Sequence, residues 1–285
     1  MAGLRISIVE YLNTAPLVWG FTNGLQRGKY ELSFTVPSQC AEALRRGDAD
    51  VAVIPAIEYQ RIDDVIALPG MAIAAKNEVR SILVVAKHPI EKVRRLALDT
   101  SSRSSVALVR LLCRHHWRIE PEFLAVKPDV TAMLDDADAA LVIGDPALRV
   151  ALEPQRTLPG YPAVYLYDVA HEWREMTGKP CVLALWVARR AVATPELVAD
   201  FLASKEYGMA RIDEIAAAAA KKLELPAAAL AAYLRQNVDF SLDAENQAGL
   251  ALYYGLCAEA GLIPKAKPLE FAAAPGAGIG AHRGT

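Results

Sequence analysis

The sequence lacks the features that would place a protein in a membrane or send it across one. Apolar stretches such as residues 215–220 fall well short of the roughly 20 residues that a membrane-spanning helix needs. The first residues lead at once into the strand-like segment 6–9, without the continuous apolar core of a signal peptide. We therefore expect a soluble, cytoplasmic protein with no membrane partner.

An excess of charge of one sign is also missing. The 31 Lys and Arg residues nearly balance the 33 Asp and Glu residues, and the formal net charge is -2. The basic pairs Arg45-Arg46 and Arg94-Arg95 are isolated, and such short pairs are typical of solvated helix or loop faces. This pattern argues against nucleic acid or an anionic membrane as the principal partner.

The cysteines are too far apart to form a recognisable metal or redox motif. The four are Cys40, Cys113, Cys181 and Cys257. They include no CxxC pair, and no histidine stands near them at a metal-ligand spacing. The adjacent histidines 115 and 116 point in different directions on a helix. We expect reduced, buried cysteines, no metal site and no cofactor.

The sequence does contain a regular alternation of strand and helix patterns. Apolar, β-branched segments alternate with amphipathic ones such as 40–46 and 106–117, which predicts an α/β protein with mainly parallel sheets. The predicted strands are 4–9, 32–36, 51–54, 82–86, 96–98, 139–143, 164–166 and 181–187. After Val187 the chain is Ala-rich and helical through Gly261.

A chain of 285 residues suits two α/β lobes. Strand segments 81–86 and 182–187 fall where the chain would pass to a second lobe and return. We predict lobe 1 from residues 1–83 and 186–271, an inserted lobe 2 from 84–185, and a ligand cleft between them. The tail, 272–285, is rich in glycine and small residues, so we expect it to be disordered.

Three strand-to-helix turns carry the polar residues that would face such a cleft. Asn13 follows the first strand and either caps the next helix or contacts a ligand. The serine-rich run 99–105 is the strongest anion-site candidate, because hydroxyls, a guanidinium and free N–H groups meet at a helix start. Its alternative is a serine cap with a surface arginine. Gly144 permits close backbone approach, and Asp145 beside Pro146 is by itself a helix cap.

These turns resemble motifs of one family, the menaquinone-biosynthesis chorismate dehydratases of the futalosine route. The matching segments are YLNTAPL at 11–17, GDADVAVIPAIEY at 47–59, ALDTSSRSS at 97–105, GDPAL at 144–148 and the run 171–186. The resemblance spans residues 4–265. Ser104 and Cys181 depart from the usual pattern, but Ser104 keeps a hydroxyl. The resemblance implies a two-lobed, type II periplasmic-binding-protein-like fold with a C-terminal helical segment.

The resemblance further implies that a dianion, chorismate, loses water to give 3-[(1-carboxyvinyl)oxy]benzoate, without a cofactor, in a monomer or homodimer. On this basis we predict Asn13 as the catalytic residue. The predicted substrate contacts are Thr14, Ala56, Ser81, Ser102, Arg103, Ser104, Ser105, Gly144 and Asp145. The proton acceptor is either a substrate carboxylate or one of Glu58, Asp145 and Glu172.

Two alternatives stay open. The sister enzyme of that route, dihydroxynaphthoate synthase, has the same fold, but its first motif is a Ser-Pro-Cys-Pro-Asn-Asp type loop and it carries a His-Glu pair near 144–145. The YLNTAPL segment and the Gly-Asp pair of this chain favour the dehydratase. A non-catalytic binding protein for a small carboxylate is the other alternative, because one fold can serve both roles.

Overall fold

A computed structural model describes residues 3–152, 158–161 and 163–275, in which ten strands form two sheets and ten helices pack around them. The strands are β1 (Arg5–Val9), β2 (Glu31–Thr35), β3 (Val51–Pro55), β4 (Val65–Ala75), β5 (Ile82–Ala86), β6 (Arg95–Asp99), β7 (Glu122–Val126), β8 (Ala139–Ile143), β9 (Tyr165–Asp168) and β10 (Cys181–Arg189). The helices are α1 (Ala15–Asn23), α2 (Pro37–Arg46), α3 (Ser104–Leu112), α4 (Val130–Asp136), α5 (Gly144–Leu152), α6 (Val169–Thr177), α7 (Pro195–Met209), α8 (Ile212–Leu223), α9 (Ala227–Gln236) and α10 (Ala244–Glu259).

Each sheet has five strands and mixes the two directions. The first sheet has the order β2-β1-β3-β10-β4 and the second has the order β7-β6-β8-β5-β9. Strands β1, β2 and β3 are parallel, as are β6, β7 and β8, whereas β10 and β5 run antiparallel to both of their neighbours. The prediction of mainly parallel sheets was therefore wrong for half of the pairings in the described residues.

The antiparallel pairings follow from where the chain changes sheets. It leaves the first sheet at Ala75 and returns at Cys181, and these two residues are paired with each other. In the second sheet the entry and exit lie together in the same way, with Leu83 opposite Asp168. A chain that re-enters a sheet at the end from which it left runs antiparallel, since a parallel neighbour needs a crossover to the other end. The predicted lobe limits, 83/84 and 185/186, stay a prediction.

Strands β4 and β7 were missed by the sequence analysis. The middle of β4 contains Pro69 and Gly70, which break the apolar pattern, and the register with β10 shifts at this level. Because β4 lies at the edge of its sheet, its proline does not interrupt a ladder on both sides. The short strand β7 is also an edge strand, and its side chains are only half-buried or exposed.

No helix in the described part of the chain is long and apolar enough to cross a membrane. The four cysteines are buried and unpaired, as expected. Of the predicted disordered tail, 276–285 lies outside the described residues. Ala272, at its start, is buried and donates its backbone N–H to the carbonyl of Ala67 at 2.9 Å.

Helix α7 lies so close to α1 that only glycine fits at position 208. A Cβ on Gly208 would come within 2.0 Å of the carbonyl oxygen of Pro16. We expect Gly208→Ala to lower the free energy of unfolding by about 1–3 kcal/mol, because the backbones must separate. The matched control is Gly255→Ala in α10, where a Cβ would meet nothing within 4 Å. Its higher helix propensity should stabilise the protein by about 0.5–1 kcal/mol. Thermal melts of both variants that moved in the same direction would contradict this packing argument.

Candidate active site

The cleft lies between the two sheets, and strand-to-helix turns from both sheets line it. It holds about 450 Å³ of space outside the protein atoms, part of it open to solvent. The polar residues that line it are Tyr11, Asn13, Ser81, Ser102, Ser104, Ser105 and the backbone of Gly144. The apolar part of the wall is formed by Val9, Pro37, Pro55, Ile73, Ile82, Ile143, Leu183 and Ala184. Within the described residues, no Asp, Glu, His, Lys or Arg lines this cavity.

The first turn brings Asn13 to the cleft. It forms a single 3-10 turn, Leu12–Thr14, between β1 and α1. The side chain of Asn13 is only 8% exposed, and no side chain caps the start of α1. The amide is therefore free to point into the cavity. Thr14 is fully buried behind it and donates its hydroxyl to Oδ1 of Asn13 at 3.4 Å, so it does not line the cleft.

The second turn brings three serines of the predicted anion site to the cleft. Ser102, Ser104 and Ser105 line the cavity at the N-terminus of α3, where no side chain caps the first turn. Free N–H groups and the positive end of the helix dipole therefore face this part of the cleft. The Ser104 hydroxyl accepts a hydrogen bond from the N–H of Ile57 at 3.2 Å, which ties the turn to the residues after β3.

The structure does not bring Arg103 into the cavity with these serines. Its guanidinium donates to Glu58 at 2.8 Å and to Glu42 at 2.6 Å, on the outer side of the turn. Neighbouring residues at a helix start point in different directions, so the serines face the ligand space while the arginine faces away. Ala56 does not line the cavity either: it is fully buried, and its carbonyl accepts from the hydroxyl of Tyr254 at 2.7 Å.

The third turn packs directly against the first. Gly144 has φ +67°, and a Cβ there would lie 2.6 Å from the ring of Tyr11. Only glycine allows both this backbone conformation and this contact. Asp145 does not line the cavity; its carboxylate accepts from the N–H of Leu12 at 2.9 Å and so fixes the first turn. Burial raises the pKa of Asp145, although the hydrogen bond from Leu12 opposes that shift.

Ser81 stands at the point where the chain enters the second sheet. It is 1% exposed, its carbonyl accepts from the N–H of Gly144 at 2.7 Å, and its hydroxyl lies 2.9 Å from that of Tyr233. The preceding residues Val79 and Arg80 donate their N–H groups to the carboxylate of Asp168 at 3.0 and 2.6 Å. These hydrogen bonds fix the segment that connects the two sheets, and so they fix the position of Ser81.

Four tyrosines were missed by the sequence analysis. They are Tyr11, Tyr233, Tyr253 and Tyr254. The last three lie on α9 and α10, within the Ala-rich segment for which the sequence predicted only helix. Tyr253 donates to the carbonyl of Ser104 at 3.1 Å, and so α10 supports the serine turn from behind. The one indication in the sequence was the presence of tyrosines in these apolar helices, since a buried tyrosine needs a hydrogen-bond partner for its hydroxyl.

The three carboxylates considered as proton acceptors all have other partners. Asp145 holds the first turn. Glu172 accepts from the indole N–H of Trp117 at 2.8 Å and lies 3.1 Å from Nε2 of His116. Glu58 is fully buried and is bound by three arginines. None of the three lines the cavity.

The environment of Glu58 is an ion cluster that joins the serine turn to the first sheet. Its arginines are Arg45, Arg61 and Arg103, and Glu42 binds two of them; we call these five residues the Glu58 cluster. Arg61 donates to Glu58 at 2.9 Å, and the three arginines are 30–37% exposed, whereas Glu58 is 0% exposed. The cluster therefore fastens the turn that carries Ser104 and Ser105.

Solved structures place this fold among the two-lobed periplasmic-binding-protein class. A crystal structure of a protein from Archaeoglobus fulgidus superposes with a TM-score of 0.72, at 20% identity, over 92% of this chain and 98% of the other. The aliphatic sulphonate binding protein of Escherichia coli gives a TM-score of 0.64 at 19% identity, over 93% and 89% of the two chains. These similarities confirm the predicted fold.

The chain belongs to the menaquinone biosynthesis family, whose pattern it matches over residues 4–259. A chorismate dehydratase of Thermus thermophilus is 27% identical over 258 residues, which cover 87% of this chain and 93% of that protein. The family predicted from the sequence motifs is thereby confirmed.

Proposed function

We propose that this protein is a chorismate dehydratase, a lyase that removes water from chorismate to give 3-[(1-carboxyvinyl)oxy]benzoate. The observation that carries the proposal is the convergence of Asn13, Ser81 and the serine-rich start of α3 on one cavity. Membership of the menaquinone biosynthesis family and the similarity to the Thermus enzyme support the choice of substrate. A cytoplasmic location of this enzyme is part of the proposal.

The polar groups of the cleft suit a dianion without supplying a cationic side chain. A carboxylate can accept from the hydroxyls of Ser104 and Ser105 and from the free N–H groups at the start of α3. The second carboxylate is assigned to Asn13 and Ser81 at the opposite turns. Hydrogen-bond donors that are held in place before the ligand arrives stabilise its charge without having to reorganise.

The elimination breaks one C–H bond and one C–O bond. The proton leaves the ring carbon that bears the enol ether, the electron pair forms a ring double bond, and the neighbouring hydroxyl departs as hydroxide, which takes up the released proton to become water. The ring becomes aromatic, which makes the overall step favourable. We propose that a carboxylate of the substrate takes the proton, because no carboxylate or imidazole of the described residues lines the cavity. The role of the protein is then to position the substrate and stabilise its charge.

The proposal is tested by incubating the purified protein with chorismate and following the product by ultraviolet absorbance and mass spectrometry. We expect a product lighter than chorismate by one water, formed at a rate proportional to enzyme concentration. The matched control for replacing Asn13 by alanine is Asn23→Ala. Asn23 is an exposed asparagine at the end of α1, and its replacement should leave the rate unchanged. Unaltered chorismate would contradict the proposal.

The second candidate is a binding protein for a small carboxylate. It is favoured by the structural relatives, among which sulphonate-binding proteins bind an anion in the same fold. Isothermal titration with chorismate separates the two functions. Binding without loss of water would favour this second candidate over the dehydratase.

A further inference from the structure

A fully buried tyrosine, Tyr233, lies behind the two polar turns that are proposed to hold one carboxylate. It belongs to α9, is 2% exposed, and does not line the cavity. Its hydroxyl donates to the hydroxyl of Ser81 at 2.9 Å. Tyr233 therefore contacts, from outside the cavity, a residue that lines it.

The direction of the hydrogen bond between Tyr233 and Ser81 follows from the protons that the two hydroxyls carry. The buried phenol has one proton, and that proton needs an acceptor. Among the described residues the acceptor within reach is Oγ of Ser81. Burial raises the pKa of Tyr233, which keeps the phenol protonated and able to donate at neutral pH.

This order of donors has a consequence at the cavity surface. A serine hydroxyl has one proton, and when its oxygen accepts from a neighbour that proton remains available for another partner. The proton of Ser81 can then be donated into the cleft. Consecutive hydrogen bonds polarise one another in a buried site, which strengthens the donor at the end of the chain. An anion in the cleft would receive that last hydrogen bond.

We infer that Tyr233 is a positioning residue that orients the Ser81 hydroxyl as a donor to a carboxylate of the bound substrate. The inference rests on the proposed function for the identity of the substrate. Tyr233 does not touch the ligand in this arrangement and acts through Ser81. Removing its hydroxyl would leave Ser81 in place but free to turn its hydroxyl away from the carboxylate.

The test is a double-mutant cycle with Tyr233→Phe, Ser81→Ala and the double variant, measured as kcat and KM for chorismate. One hydrogen bond contributes about 1 ± 0.5 kcal/mol, so we expect Tyr233→Phe to lower kcat/KM by roughly tenfold or less. The change should appear mainly in KM, since a carboxylate is bound in both the ground state and the transition state. Because Tyr233 acts through Ser81, the double variant should match Ser81→Ala to within about twofold.

The control is Tyr59→Phe, a tyrosine that is 1% exposed and whose hydroxyl donates to the carbonyl of Pro268, away from the cavity. It should leave kcat and KM unchanged. Effects of Tyr233→Phe and Ser81→Ala that multiply in the double variant would overturn the inference. So would a Tyr233→Phe protein that fails to fold, since the hydroxyl would then be structural.

The outcomes also separate this inference from the proposed function. If the wild-type protein dehydrates chorismate and Tyr233→Phe is indistinguishable from it, only the inference fails. If the wild-type protein binds chorismate without converting it, the proposed function fails. The double-mutant cycle is then evaluated from the Kd values for chorismate measured by calorimetry. A wild-type protein that neither binds nor converts chorismate overturns both.

Discussion

Replacing Glu58 by glutamine is expected to lower the free energy of unfolding by about 3 kcal/mol. The change removes the one fully buried charge in the Glu58 cluster and leaves three arginines facing a neutral amide. Breaking a buried ion pair from one side costs about 3–5 kcal/mol. We take the lower end, because the arginines are about a third exposed and can regain water. The expected fall in Tm is roughly 6–12 °C.

The matched control for this prediction is Glu42→Gln. Glu42 binds two of the same arginines but is 27% exposed, so its loss should reduce stability by at most about 1 kcal/mol. Thermal or urea unfolding of the two variants measures the difference. Equal stabilities of Glu58→Gln and Glu42→Gln would show that burial does not set the strength of the cluster. Because Arg103 precedes Ser104, we also expect Glu58→Gln to raise the KM for chorismate.

Much of the fold was accessible from the sequence because it rests on local patterns. All eight predicted strands correspond to strands of the two sheets, and the crossover segments lie where the chain changes sheets. Strand direction was not accessible in the same way. It depends on the end at which the chain re-enters a sheet, and no periodicity along the chain records this. Strand β4 was missed because Pro69 and Gly70 interrupt its pattern.

The candidate site also contains some residues that local sequence patterns predict and others that they do not. The places of Asn13 and of the serines at the start of α3 could be predicted because each follows a strand and opens a helix, whereas Ser81 was predicted from the family resemblance. Arg103 could not be separated from its serine neighbours, since its direction depends on Glu58, which is 45 positions away in the chain. Tyr233 lies 152 positions from Ser81. Only the folded chain brings such residues together, and an alanine-rich helix gave no local sign of the contact.

The amide of Asn13 is expected to account for the largest effect on catalysis. We expect Asn13→Ala to lower kcat/KM for chorismate by about 10²–10³-fold, the loss that follows removal of one preorganised donor from an active site. The side chain belongs to the first turn at the cavity, and the Thr14 hydroxyl donates to its Oδ1 from behind. Its stability effect should be small by comparison, so Tm is measured alongside the kinetics.

Asn13→Asp distinguishes the loss of a donor from the loss of packing. The carboxylate has nearly the shape of the amide and can still accept from Thr14 at Oδ1, but it has no N–H group to donate. It also adds a negative charge to a cavity in which the described residues place no cation to offset it. We therefore expect Asn13→Asp to be at least as impaired as Asn13→Ala, with a higher KM. If Asn13→Asp instead kept the wild-type kcat/KM, the Asn13 amide would have no part in binding the dianion, and the first turn would matter only for the shape of the cleft.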